Sequence, residues 1–289
     1  VNVVNALVQG ILLGGLFALF ACGLSLMFGV MDVINLAHGD VAVAAVYLAI
    51  VLIPASHIPA LWIFVLVVPV FFVGGYVLQR LLIQRSLDSG AVTTLLVTFG
   101  LSIVLENGLL EAFTANSQSL NIGTLVSGSF EISNQIFIPY LSLIILGTAL
   151  VALTALQLFL ARTRTGRMVR AVSDDRETAQ LMGANYRHLF GIATGLAFGT
   201  VALAGLALGM YTSVDPTTGP SYLLYGFAAV VIGGLGSLWG TLVGGMVLGV
   251  ASTVGALVDP DFGSMAPYLV FLLVLALRPR GLFPKKATA

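Results

Sequence analysis

Few side chains in this 289-residue chain could do chemistry, because only 8% of it is charged while 58% is hydrophobic. The decapeptide MDVINLAHGD (31–40) places Asp32, Asn35, His38 and Asp40 between two apolar runs, and Glu106 with Asn107 stands in the outer part of another. A carboxylate or amide in hydrocarbon is costly, so such groups either line a polar passage or carry an ion. Asn35, His38, Glu106 and Asn107 are therefore the candidate lining of a translocation pathway. For Asn35 and His38 a structural role is weighed ahead of solute binding: they would hydrogen-bond the unpaired ends of two broken helices. Glu106, near the outer end of its run, could equally reach the lipid headgroups.

Other chemistry is excluded or disfavoured by what the chain lacks. The lysines are Lys285 and Lys286 alone, so neither a GxxxxGK[ST] phosphate loop nor an internal Schiff-base lysine can be built. The single cysteine, Cys22, excludes an intrachain disulfide and a cysteine-based zinc site. His38 has no metal-binding company, since His57 and His188 are expected on opposite sides of the membrane, and no metal or cofactor is expected on this chain. GLGSLWG (234–240) is one residue too long for a dinucleotide GxGxxG loop. There is no nucleophile elbow for an intramembrane hydrolase, so no catalytic residue is assigned.

One long polar stretch, Arg162 to Phe190, holds six of the twelve basic residues: Arg162, Arg164, Arg167, Arg170, Arg176 and Arg187. Arg164, Arg167 and Arg170 recur beside Met168, Val169 and Val172, a pattern suited to a helix lying along lipid headgroups. Asp174 with Glu177 three residues later has capping-box spacing, and Gly183 supplies a stop. The helix between them has about two turns, too few to persist in water without support. Asp175, Thr178, Ala179 and Met182, with Leu181, fall in it, and Ala179 and Met182 are expected on one small apolar face for a partner's groove. The alternative is a solvated loop whose charge only holds it on the cytoplasmic side.

The elements that position these groups are membrane helices. Mean hydropathy is +1.06, and apolar runs of spanning length recur at 6–29, 60–82, 91–112, 139–161 and 189–212, with a shorter run at 40–54, an interrupted one at 222–257 and a last one at 266–277. The basic residues fall only at 80–85, 162–187 and 278–286, which the positive-inside rule makes cytoplasmic. The stretches 113–138, 213–221 and 258–265 then lie outside, and so does the N-terminus if the runs at 6–29 and 40–54 both cross fully. VNVVNALVQG has no basic n-region, so the first run is expected to be retained rather than cleaved. The expected fold is all-α, a single polytopic transmembrane bundle over 1–289 of about eight spans with a cytoplasmic loop at 162–188. Helices are expected to be broken or re-entrant near 31–40 and 233–237. Gly233, Gly234, Gly236, Gly240 and Gly244, with Gly39, mark the breaks and the places where helix backbones approach closely.

GLSLMFGVMD followed by VINLAHGD, then RTRTGRMVRAVSDDRETAQLMGAN, then AAVVIGGLGSLWGTLVGG with a closing LRPRGLF, together resemble the LivH-like permease subunits of branched-chain amino acid ABC importers. The resemblance runs through nearly the whole chain. It implies a bacterial inner-membrane protein paired with a LivM-like permease, two LivG- and LivF-like ATPases that bind ATP and magnesium, and an extracytoplasmic binding protein; no nucleic acid is implied. It aligns Asp175, Glu177, Thr178, Ala179 and Gly183 with the family's coupling segment, Asn35, Ala37, His38 and Gly39 with its NxAHG signature, and Gly233, Gly234, Gly236 and Gly240 with its glycine-rich break. Glu106 departs from the family, where an uncharged amide is frequent, and the architecture also serves urea, amides and aromatic acids. An ion-coupled secondary transporter using Glu106, Asp32 and Asp40 is the alternative.

Overall fold

The computed structural model describes residues 3–56, 60–120, 128–133 and 136–283. His57, Lys285 and Lys286 lie outside these. Eleven helices and one hairpin follow in order: α1 (Val3–Met31), α2 (His38–Ser56), α3 (Ala60–Leu78), α4 (Ala91–Phe113), β1 (Ser129–Ser133), β2 (Ile136–Pro139), α5 (Tyr140–Arg162), α6 (Arg164–Asp174), α7 (Arg176–Leu181), α8 (Tyr186–Tyr211), α9 (Gly219–Gly233), α10 (Leu238–Val258) and α11 (Pro260–Leu277). α3 continues through a π turn, Gln79–Ile83, and one more helical turn, Gln84–Leu87.

Seven helices among the described residues are long and apolar enough to cross a membrane, and two shorter apolar ones, His38–Ile53 and Gly219–Gly233, are not. Each short helix is preceded by a non-helical segment, 33–37 or 212–218. This refines the expected count of about eight without changing the fold. α1 and α8 form the centre, with 83% of their most apolar window buried, whereas α4 and α11 bury only 17% of theirs and present the rest to lipid or another chain.

α1 can be central because one side of it is nearly smooth. A Cβ on Gly14 would lie 2.4 Å from the Met246 Cα, and one on Gly249 would lie 2.2 Å from the Gly10 carbonyl oxygen, so α1 and α10 touch backbone to backbone. The glycines of α10 divide between two neighbours. Gly245 and Gly249 meet α1, while Gly240 and Gly244 meet Gly233 and Ala229 of α9.

The turn between α9 and α10 lies at the arginine-bearing end of the bundle, where Gly236 and Ser237 share a cavity of about 780 Å³ with Arg170 and Asp174 of α6. Gly234 (φ +104°) and Gly236 (φ +77°) take backbone angles that side chains disfavour. The closing residues of LRPRGLF have a local use here, since Leu282 N–H and Phe283 N–H donate to the Ile232 and Gly233 carbonyls at 2.8 and 3.0 Å, satisfying the end of α9. Gly29 lies against Gly236, so α1 ends on this side and begins on the other, where Thr253 of α10 donates to the Ala6 carbonyl at 2.8 Å.

Candidate functional site

After α1 the chain turns back into the membrane. His38, the first residue of α2, brings its Nε2 within 3.2 Å of the Phe20 carbonyl oxygen, about half way along α1. The turn that achieves this is set by Asn35, whose Oδ1 accepts from Ala37 N–H at 3.0 Å while His38 N–H donates to the Asn35 carbonyl at 3.2 Å.

The same turn recurs after α8. Asp215 Oδ1 accepts from Thr217 N–H at 2.9 Å and Thr218 N–H donates to the Asp215 carbonyl at 3.1 Å, with Gly219 opening α9 as Gly39 stands in the first turn of α2. The spacing from Asn35 to Gly39 is thus repeated from Asp215 to Gly219. The two short helices run in opposite directions, and their N-termini meet inside the bundle. A Cβ on Gly39 would fall 1.9 Å from the Gly219 carbonyl oxygen, and one on Gly219 would fall 2.1 Å from Asp40 Oδ1. Two positive helix ends therefore converge on one buried carboxylate, which is where a negative charge is best placed. Asp40 Oδ2 also accepts from the Ser102 hydroxyl of α4. Oδ1 has no hydrogen-bond partner among the described residues.

This second break, at 212–218, was not anticipated. Asp215 and Pro220 read as an outer loop, and only the repeated Asx turn ahead of a glycine could have revealed it. Asp40, rather than Asn35 or His38, is the group on which the two helix ends close. Asn35 is 0% and His38 1% exposed, and both spend polar atoms on the turn and on α1. Glu106 is half-buried one helical turn beyond Ser102, and Asn107 is exposed with its amide donating to the Ile103 carbonyl at 2.8 Å. Glu106 and Asn107 thus stand on the less buried part of α4, about one turn beyond the Ser102–Asp40 bond. Asp32 is exposed at φ +53° just past the C-terminal end of α1.

The polar segment 162–188 forms two helices separated at Asp175. Thr163 caps α6, its Oγ1 accepting from Gly166 N–H at 2.9 Å. Gly166, Val169 and Val172 are buried against the bundle while Arg164, Arg167 and Arg170 are exposed. The cap of α7 is Asp175 rather than Asp174, which ends α6. Asp175 Oδ1 accepts from Glu177 N–H and Thr178 N–H, each at 3.0 Å, and Oδ2 accepts from the Thr178 hydroxyl. These bonds, the Thr178 hydroxyl foremost, hold the Asp175 carboxyl below its ordinary pKa. At the other end Gly183 (φ +88°) closes a Schellman turn, with Ala184 N–H on the Ala179 carbonyl and Gly183 N–H on that of Gln180.

The expected apolar face must be redrawn. Ala179 is 8% exposed and faces the core of its own chain, whereas Leu181 and Met182 are 88% and 85% exposed. A six-residue helix turns its small side chain to its support and its long ones outward. Glu177 and Thr178 are exposed as well. The support includes ion pairs absent from the sequence reading: Asp88, in the turn before α4, meets Arg176 at 3.0 Å and Arg187 at 3.6 Å. The Arg176 guanidinium lies 3.8 Å from the Tyr186 ring centroid.

Membrane helices broken half way, closed over a buried carboxylate and joined to an ordered polar hook, define a polytopic membrane transport protein. Comparison gives the family. Residues 6–275 match the model of the branched-chain amino acid transport system permease component, and the chain belongs to that family. It is 29% identical over 293 residues to the high-affinity branched-chain amino acid transport permease BraD of Pseudomonas aeruginosa, covering 96% of this chain and 94% of BraD. It is 27% identical over 288 residues to LivH of Escherichia coli K12, covering 95% and 93%. The fructose import permease FrcC of Rhizobium meliloti is 35% identical over 199 residues, covering 63% of this chain and 54% of FrcC. Among solved structures, PsaBC from Streptococcus pneumoniae in complex with Fab aligns with a TM-score of 0.47 at 15% identity, over 96% of this chain and 91% of that one.

Proposed function

We propose that this chain is the permease half of an ATP-driven importer in a bacterial cytoplasmic membrane, and that its solute is a branched-chain amino acid handed over by an extracytoplasmic binding protein. The observation that carries the reading is the hook: a helix of six residues, capped at both ends and held by two arginines, with Leu181 and Met182 almost fully exposed at its tip. Two large apolar side chains held rigidly in water call for a groove on another protein. In this reading two partner ATPases, LivG- and LivF-like, bind ATP and magnesium, close on the hook and move it, while this chain holds no cofactor and catalyses nothing. Arg170 and Asp174 line the cavity behind the hook, Asp175, Thr178, Ala179 and Gly183 keep it in shape, and Glu177 is exposed beside them to the partner.

A LivM-like permease covers the sparsely buried faces of this chain, and the passage runs along the α4 side where Glu106 and Asn107 stand. The solute is inferred from BraD and LivH, which match over nearly their whole length. Uptake of labelled leucine, isoleucine and valine by vesicles holding the complete complex tests this. Saturable ATP-dependent uptake of those three supports the assignment; uptake of only a sugar or an amide contradicts it.

A further inference from the structure

The hook has two routes into the membrane. Along the chain it leads through α6 to α5 and directly into α8, but α8 is one of the two most buried helices and has little room to move. Across the chain it leads through Asp88, which joins the last turn of the α3 extension, Gln84–Leu87, to α4, one of the two least buried helices. Asp88 holds Arg176 at the start of α7 and Arg187 at the start of α8, so one carboxylate grips the hook on both sides. Tyr186 fixes both arginines, lying under the Arg176 guanidinium and accepting from Arg187 Nε at 3.1 Å. An isolated surface ion pair transmits little; a carboxylate shared by two held arginines is a joint.

From Asp88 only Ser89 and Gly90 intervene before α4 begins. Eleven residues on, about 17 Å along a helix, Ser102 donates to Asp40, the carboxylate on which the two half-helices converge. The buried face of α4 between these points is a single file, Thr94, Thr98 and Ser102.

We propose that Asp88 is a positioning residue that ties the cytoplasmic hook to α4, so that movement of the hook reaches the membrane break through the Ser102–Asp40 bond rather than through the helices that flank the hook in sequence. The inference rests on the permease reading above.

The test uses the whole importer, this chain with its partner permease, ATPases and binding protein, reconstituted in vesicles, with uptake and ATP hydrolysis measured together. Asp88→Asn should assemble with its partners and hydrolyse ATP while uptake per ATP falls about fivefold or more, within the range of ordinary coupling between sites. Asp88→Glu should restore it. Asp88→Cys with Arg176→Cys, bridged by a short bis-maleimide, should recover uptake that the unbridged pair lacks; Cys22, the sole native cysteine, is fully buried. Unchanged uptake per ATP in Asp88→Asn, or a loss that only follows lost assembly, overturns the proposal. A wild-type complex that takes up no solute contradicts the permease reading instead, before any variant is made.

Discussion

Asp175 has four bonding opportunities at its two carboxylate oxygens and uses three of them to start a helix too short to start itself. Because its pKa is lowered in the folded chain, the stabilisation is complete above the ordinary carboxyl range and is lost as pH falls through the lowered value. Protection of the amides at 176–183, measured against the intrinsic exchange rate at each pH, should therefore fall only in acid, and Asp175→Ala should lower it at neutral pH while Asp174→Ala leaves it unchanged. Leu181→Asp with Met182→Asp should leave the chain folded, since both side chains are exposed, yet abolish co-purification of the ATPases. Retention of the ATPases by that variant would mean the tip touches nothing. The hook was legible as a polar island with a glycine stop. Which face it presents was not, because a six-residue helix has no periodicity of its own and takes its orientation from the core beneath Ala179. Asp88 was invisible for a related reason: nothing local in the sequence announces an ion pair between residues 88 positions apart.

At the scale of elements, two short helices meet N-terminus to N-terminus and are kept in contact by the absence of side chains. Gly39→Ala places a Cβ 1.9 Å from a backbone oxygen and Gly219→Ala places one 2.1 Å from Asp40. Each should lower the thermal midpoint in detergent, at a cost of about 1–3 kcal/mol or more. Gly100 and Gly108 of α4 have nothing within 4 Å in this chain. Their change to alanine should be neutral or stabilise the isolated chain by up to about 1 kcal/mol, as in any exposed helix. Equal damage at all four positions would show that α4 is packed far more tightly than described. The break at 31–40 could be read because four polar residues interrupt an apolar pattern, and the turn at 233–237 because three glycines do, although it lies at the arginine-bearing end and is not a break within the bundle. The break at 212–218 could not, since a proline and an aspartate beside an outer loop look like more of that loop. Its identity lies in the repeated Asx turn, a relation between two distant segments.

The whole molecule is a membrane bundle whose centre, α1 and α8, is fixed by close packing, and whose periphery, α4 and α11, is sparsely buried. Its fold class followed from composition and run length alone, because hydrocarbon forces helices. Its family followed from motifs in order along the chain. What drives it is a question of partners. The ion-coupled alternative uses Glu106, Asp32 and Asp40, of which Asp32 is exposed at the C-terminal end of α1, Asp40 is enclosed between two helix ends, and Glu106 stands half-buried one turn beyond Asp40's partner Ser102. The decisive measurement is solute uptake by proteoliposomes holding this chain alone, with an imposed proton or sodium gradient, beside proteoliposomes holding the complete complex with ATP inside a regenerating system. A chain worked by a separate motor gives no uptake alone under any gradient and gives it with the complex only when ATP is present. Gradient-driven uptake by the single chain would contradict the account.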